Sequence, residues 1–130
     1  LQALYSCDLL KDFSIKNLDN ILNIIDISPN QSDYAKKLVM GICENKKKID
    51  SIIAKYSKNW KISRMSVIDR NILRIGIHEY LFSENIPFKV IIDEAIEISK
   101  EFGDSDSSSF VNGILDTFIL EKIKSAKEVK

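Results

Sequence analysis

The stretch Ser66-Val67-Ile68-Asp69-Arg70-Asn71-Ile72-Leu73-Arg74-Ile75-Gly76-Ile77-His78-Glu79-Tyr80-Leu81 decides the fold. It is too long for a strand, and its apolar residues recur at helical spacing. Ile68, Ile72, Ile75 and Phe82 form one row and Leu73, Ile77 and Tyr80 another, so nearly the whole circumference is apolar. A helix of that kind has to be wrapped by other helices. Ser66 followed by Asp69 has the spacing of a capping box, in which a hydroxyl and a carboxylate satisfy free backbone donors at a helix start. Arg70, Arg74 and Glu79 lie within the apolar run, where an unpaired charge is costly. Arg74 and Glu79 are five apart and cannot pair along one helix face. Each is expected to find a partner elsewhere, on an acidic helix further along or at a backbone end.

Outward from this helix, the rest of the chain also reads as helix. Residues 1–13 place Leu1, Leu4, Tyr5 and Leu9 on one face, and Ser14 is positioned to cap a second helix, 15–27, through Ile15, Leu18, Ile21, Leu22 and Ile25. Ser28-Pro29-Asn30-Gln31 reads as a turn, after which Ser32 or Asp33 caps one long helix to about Ser57. Its seam runs Leu38, Ile42, Asn45, Ile49, Ile52 and Tyr56, and Gly41 in its middle points to close helix approach. Lys46-Lys47-Lys48 reads as a solvated face or a phosphate-contacting patch, and Trp60 as an apolar plug between two sub-bundles. Asn85-Ile86-Pro87 breaks the chain before a helix over 88–102, with Phe88, Ile91, Ile92, Ala95, Ile98, Ser99 and Phe102 inward and Asp93, Glu94, Glu97 and Glu101 outward. Gly103 is expected to end it in a left-handed conformation. Ser105 to Ser109 supply caps for a last helix through Phe110, Val111, Ile114, Leu115, Phe118 and Ile119, and 124–130 reads as a charged, fraying tail. The expected fold is all-α, with six or seven helices.

With 130 residues, 45% apolar and 29% charged, the chain suits one globular domain or two small sub-bundles sharing a core. No apolar run approaches the roughly 18 residues of a membrane span. Cys7 and Cys43 are expected to be free thiols in a reducing compartment, which points to the cytoplasm. The net charge of zero conceals a division: residues 1–65 hold 11 Lys/Arg against 7 Asp/Glu, and residues 66–130 hold 8 against 12. That division fits either two partner surfaces or scatter over solvated faces. Leu1 is not a methionine, so the chain is expected to begin inside an element.

Catalysis needs converging groups, and the pattern offers none. His78 is the only histidine and is expected to pack at a helix edge, and the four glycines at 41, 76, 103 and 113 are isolated, so no phosphate loop forms. No metal, cofactor or enzymatic activity is expected, and the chain reads as a binding protein.

Three segments then carry a family resemblance. They are Gln2-Ala3-Leu4-Tyr5; Ile68-Asp69-Arg70-Asn71-Ile72-Leu73-Arg74-Ile75-Gly76-Ile77-His78-Glu79; and a C-terminal pair, Ile86-Pro87-Phe88-Lys89-Val90-Ile91-Ile92-Asp93-Glu94-Ala95-Ile96-Glu97 with Phe102-Gly103, then Phe110-Val111-Asn112-Gly113-Ile114-Leu115-Asp116. In this order, over essentially the whole chain, they resemble the NusB family of bacterial transcription antitermination factors. The resemblance implies a NusB-like fold over 1–130, with three-helix sub-bundles at about 1–58 and 64–123. It implies binding to single-stranded boxA RNA of ribosomal RNA leader transcripts together with the ribosomal protein NusE. NusA, NusG and RNA polymerase would follow in a larger complex that suppresses premature termination, and a homodimer is possible. Carried over by position, RNA contacts fall on Gln2, Tyr5, Lys89 and Phe110, near one another at the sub-bundle junction, and the NusE-facing positions are Asp69 and Asp106. Each has a plainer use beside it: Phe110 and Tyr5 as core residues, Asp69 as a helix cap. The arginine-rich segment that family members carry before the Gln-Ala-Leu-Tyr stretch is missing here, and His78 stands where the family usually has tyrosine. A related alternative is the N-terminal RNA-binding domain of a ribosomal RNA cytosine methyltransferase, which would require a methyl-donor domain downstream.

Overall fold

A computed structural model describes residues 1–24, 29–58, 60–83 and 86–128. Among these the chain is all-helical. In order it runs α1 (Gln2–Leu10), α2 (Ile15–Ile24), α3 (Pro29–Glu44), α4 (Lys46–Ser57), a 3-10 turn (Ile62–Arg64), α5 (Val67–Phe82), α6 (Phe88–Phe102) and α7 (Ser107–Glu128). No described helix is long and apolar enough to cross a membrane.

The helix read first from the sequence is the centre of the fold. Every residue of α5 from Asn71 to Glu79 is buried, and the helix bears on α1, α3, α4, α6 and α7. With α6 and α7 it makes an apolar wedge, in which Ile72, Leu73 and Ile77 share one core cluster with Ile92, Ala95, Leu115 and Phe118. Tyr56 and Tyr80 each set a ring edge-on to Phe118 at 5.4 Å. Gly76 lets this wedge close, because a Cβ there would lie 2.9 Å from Cδ1 of the fully buried Leu115. On the other side α3 comes equally near. A Cβ on Gly41 would lie 2.5 Å from Nε2 of His78, so the close approach expected of Gly41 is real.

Local starts and stops follow side-chain chemistry. Ser66 Oγ accepts from the Asp69 N–H at 3.0 Å and Ser14 Oγ from the Asn17 N–H at 3.3 Å, capping α5 and α2 as expected. The cap of α5 is one-sided, since the Asp69 carboxylate makes no return bond and its Oδ1 is buried without a partner.

Several expectations are corrected. The single long helix after the first proline is two. Asn45 stands between α3 and α4, with its side-chain amide donating to the Gly41 carbonyl at 2.8 Å, the kind of local bond that competes with a continuing backbone ladder. The turn placed at Ser28 to Gln31 is displaced: Pro29 already lies in α3, at the helical position where its missing N–H costs nothing. Ser28 itself, the stretch 25–27 of the second helix, and Asn85 lie outside the described residues. Gly103 is extended (φ −91°, ψ −173°) rather than left-handed; the Ser107 side chain packs where its Cβ would be and accepts from the Asp104 N–H at 3.0 Å.

Phe88 and Phe102, expected inward, are exposed at the two ends of α6, as is Phe82 at the end of α5; the buried row of α6 is Ile91, Ile92, Ala95 and Ser99. In α1 the buried face is Ala3, Leu4, Cys7 and Asp8, leaving Leu9 exposed. The face is turned toward a carboxylate, and the reason lies in α5.

Candidate nucleic-acid interface

The charges on α5 explain how α1 is held. Asp8 is buried, and its Oδ2 accepts from Arg70 Nε at 2.6 Å, Arg74 NH1 at 2.9 Å and Asn71 Nδ2 at 3.0 Å, while its Oδ1 takes the second fork of Arg70. Arg74 turns its other edge to α4, with Nε to Asp50 Oδ1 at 2.8 Å and NH2 to Asp50 Oδ2 at 3.1 Å. Asn71 completes the set by accepting from Arg74 NH1 at 2.9 Å and donating to the Val67 carbonyl at 2.7 Å. Two carboxylates and two guanidiniums thus balance in one network across α1, α4 and α5. Arg74 also lies over the Phe13 ring, 5.4 Å from its centre.

Burial pushes the Asp8 carboxyl up, but the Arg70 bond, the Arg74 charge and the Asn71 amide together more than reverse it and hold it below its ordinary value. The partner expected for Arg74, on the acidic helix or at a backbone end, is therefore corrected: it is a pair of carboxylates from α1 and α4. The outward acids of α6 are exposed, and among the described residues none bonds to Arg74. Asp8 and Asp50 were not singled out from the sequence. The signal available was the demand itself, since two arginines in an apolar run require carboxylates from somewhere.

The network holds α1, which carries two of the candidate residues; the others lie on α5, α6, α7 and the turn before α7. Gln2 and Tyr5 lie about two turns and one turn before Asp8 on α1, and Tyr5 is 37% exposed although its helix is clamped. Lys89 is exposed in the first turn of α6. Phe110 is half-buried in the first turn of α7, packed on the core with part of its ring accessible. Its N–H donates to the Asp106 carbonyl at 3.1 Å, so the two are joined through the start of the helix. Asp106 is exposed just ahead of α7, its own N–H held by Asp104 Oδ1 at 2.9 Å. Asp69 is only 9% exposed, at the start of α5. Among the described residues no hydrogen bond or ion pair joins Gln2, Tyr5, Lys89 and Phe110 to one another.

One aromatic contact was not anticipated. Trp60, expected to plug the interior, is 55% exposed and sets its ring against Phe110, centroids 5.8 Å apart and planes at 75°. Lys58 takes a positive φ of 51°, and the chain then doubles back, with Ser57 Oγ donating to the Trp60 carbonyl at 2.9 Å.

At the far end of α5 the polar groups lack such partners. His78 is buried beside Phe82 and against Gly41, its Nδ1 without a partner, and burial lowers its pKa so that it stays neutral. It lies within a helix-packing surface, not at the helix edge expected of it. Glu79 is buried, with Glu94 of α6 nearby. Burial first and that like charge second push its pKa up to about 7. The partner expected for Glu79 on the acidic helix is thus corrected as well: what that helix offers is repulsion. Burial likewise pushes the Cys43 thiol up to about 11, and both cysteines are free. Lys46 and Lys48 are engaged locally, Lys46 with Asp50 at 3.0 Å and Lys48 over the Phe82 ring.

Comparison with known proteins agrees with this architecture. The model of the NusB family matches residues 1–120. A transcription antitermination protein NusB from Acetivibrio thermocellus is 37% identical over 126 residues, covering 97% of this chain and 87% of the relative. The structure of T. maritima NusB superposes with a TM-score of 0.79 at 39% identity, over 89% of this chain and 82% of that one. A crystal structure of the antitermination factors NusB and NusE in complex with dsRNA superposes with a TM-score of 0.75 at 28% identity, over 90% of this chain and 87% of that one.

Proposed function

The chain belongs to the NusB family, and from that premise we propose that it is a transcription antitermination factor that binds boxA RNA of ribosomal RNA leader transcripts together with NusE. It acts by binding and not by catalysis, in the cytoplasm, and joins NusA, NusG and RNA polymerase in a larger complex. The observation that carries this reading is the likeness, over nine-tenths of the chain, to a NusB seen with NusE and dsRNA. The methyltransferase reading draws no such support, because the relatives are antitermination proteins matched over most of their own length.

In this reading the chain is one domain of two sub-bundles, about 1–58 and 64–123. Tyr5 and Phe110 stack on bases, since a ring face accepts any unpaired base. Gln2 donates or accepts at a base or sugar edge, and Lys89 meets phosphate. Asp69 and Asp106 face NusE. The acidic C-terminal half suits a basic ribosomal protein.

Phe110→Leu tests the reading, since it keeps apolar volume on the core and removes the ring. Anisotropy of a labelled boxA RNA should show affinity reduced roughly 5- to 50-fold, the worth of one stacked base, with the circular dichroism spectrum unchanged. Unaltered affinity would return Phe110 to a purely structural role.

A further inference from the structure

Trp60, whose ring packs against Phe110, lies outside the residues assigned to RNA so far. We propose that Trp60 and Phe110 form a stacking corner for single-stranded RNA that carries the binding surface from α7 onto the connector between α4 and α5, with Lys58, Lys61 and Arg64 as its phosphate contacts. This rests on the reading that Phe110 faces RNA, and adds a residue and a stretch of chain to it.

Three observations converge on it. The first is geometry: with planes at 75°, the two rings meet edge to face, and Trp60 is more than half exposed. A base can lie on an exposed indole face while its neighbour meets Phe110. The second is rigidity, which sets a binding residue apart from a stray surface aromatic. Ser57, itself buried, ties the Trp60 carbonyl through its Oγ and accepts the Trp60 N–H at 3.2 Å. Two residues further on, Arg70 NH1 donates to the Ile62 carbonyl at 3.3 Å, fastening the connector to the Asp8 network. These bonds tie the backbone of Trp60 to the end of α4 and that of Ile62 to α5, which lowers the ordering cost of binding at the exposed ring.

The third is charge. From Ser51 to Ile68 the chain has four cations, Lys55, Lys58, Lys61 and Arg64, and no acid. Lys55 pairs with Glu121 at 3.7 Å, whereas Lys58, Lys61 and Arg64 are exposed and make no ion pair among the described residues. An exposed indole among free cations fits a strand of stacked bases with a charged backbone. It does not fit a basic ribosomal protein, which these cations would repel.

Trp60 is the only tryptophan, so its emission reports this corner alone. The chain is titrated with single-stranded boxA RNA bearing a terminal dye, and RNA anisotropy and tryptophan emission are followed together. Both should change with one midpoint. Trp60→Ala should weaken binding roughly 5- to 100-fold and Trp60→Phe much less. Lys61→Ala should lower the slope of log affinity against log salt by about one. If anisotropy rises while emission stays constant and Trp60→Ala binds like the parent, the corner is wrong and the RNA reading stands. If the parent binds no RNA, both fall. If NusE alone shifts the emission and Trp60→Ala weakens only NusE binding, the connector is a protein-docking surface and the proposal is overturned. Should Trp60→Ala fail to fold, the emission of the parent decides.

Discussion

Toward its N-terminus α5 carries Arg70, Asn71 and Arg74 into the interior, where Asp8 from α1 and Asp50 from α4 answer them with bonds of 2.6 to 3.1 Å. One turn beyond Arg74 the same helix carries in His78 and Glu79. There His78 Nδ1 has no partner and Glu79 meets the like charge of Glu94. The first half gains attachment, because three helices and the connector are tied to one charge-balanced cluster. The second half remains buried at a cost, which the surrounding apolar wedge of α6 and α7 offsets. A buried charge is an anchor only when its counter-charge is buried with it.

The largest expected effect comes from breaking the answered half. Asp8→Ala leaves the buried Arg74 and the half-buried Arg70 without their shared carboxylate and should cost about 3–5 kcal/mol in urea denaturation. Because the Asp8 pKa is depressed in the fold, its contribution is present in full above its ordinary value of 3.8 and is lost as pH falls through the lower, folded value. A loss under about 1 kcal/mol at pH 7 would show that solvent reaches the cluster and that α1 is held by its apolar face alone.

The unanswered half should respond in the opposite direction. The folded protein keeps the Glu79 proton up to about pH 7, whereas the unfolded chain releases it near 4.5, so stability falls as pH rises between those values. Glu79→Gln removes the titration and should raise stability by about 1–3 kcal/mol at pH 8 while changing it little at pH 4. Thermal melts of both proteins at the two pH values measure this. An equal effect at both would place the origin in packing rather than in charge.

The smallest effect lies at the edge of the answered network. Lys46 joins Asp50 from the same helix with its side chain one-third exposed. Lys46→Met should shift stability by no more than about 0.5 kcal/mol, since Arg74 still satisfies Asp50 through two bonds. A loss as large as that of Asp8→Ala would erase the distinction between the buried clamp and its rim.

What the sequence made legible, and what it did not, follows the same line. Periodicity identified α5 as the core, Ser66 and Ser14 as caps, Gly41 as a point of close approach and the acids of α6 as outward, since each of these is set by residues within a turn or two. The NusB resemblance supplied the fold family and named Tyr5 and Phe110 as candidates, one exposed and one half-exposed in the structure. The destination of a buried charge was not legible. Asp8 lies 62 to 66 residues from the arginines it holds, and local spacing carries no information over that distance. Trp60 was misplaced for a related reason. An apolar ring reads as core until the backbone reversal at Lys58 is known, and a positive φ at a lysine has no clear mark in the sequence.

The proposed function places RNA contacts on α1, α6, the connector and the start of α7, with NusE bound alongside. The direct measurement is an anisotropy titration of labelled boxA RNA with this chain, in the absence and presence of saturating NusE. Cooperative assembly predicts that NusE shifts the binding curve to lower protein concentration by roughly 5-fold or more, the scale of about 1 kcal/mol of coupling. Superimposable curves would contradict it.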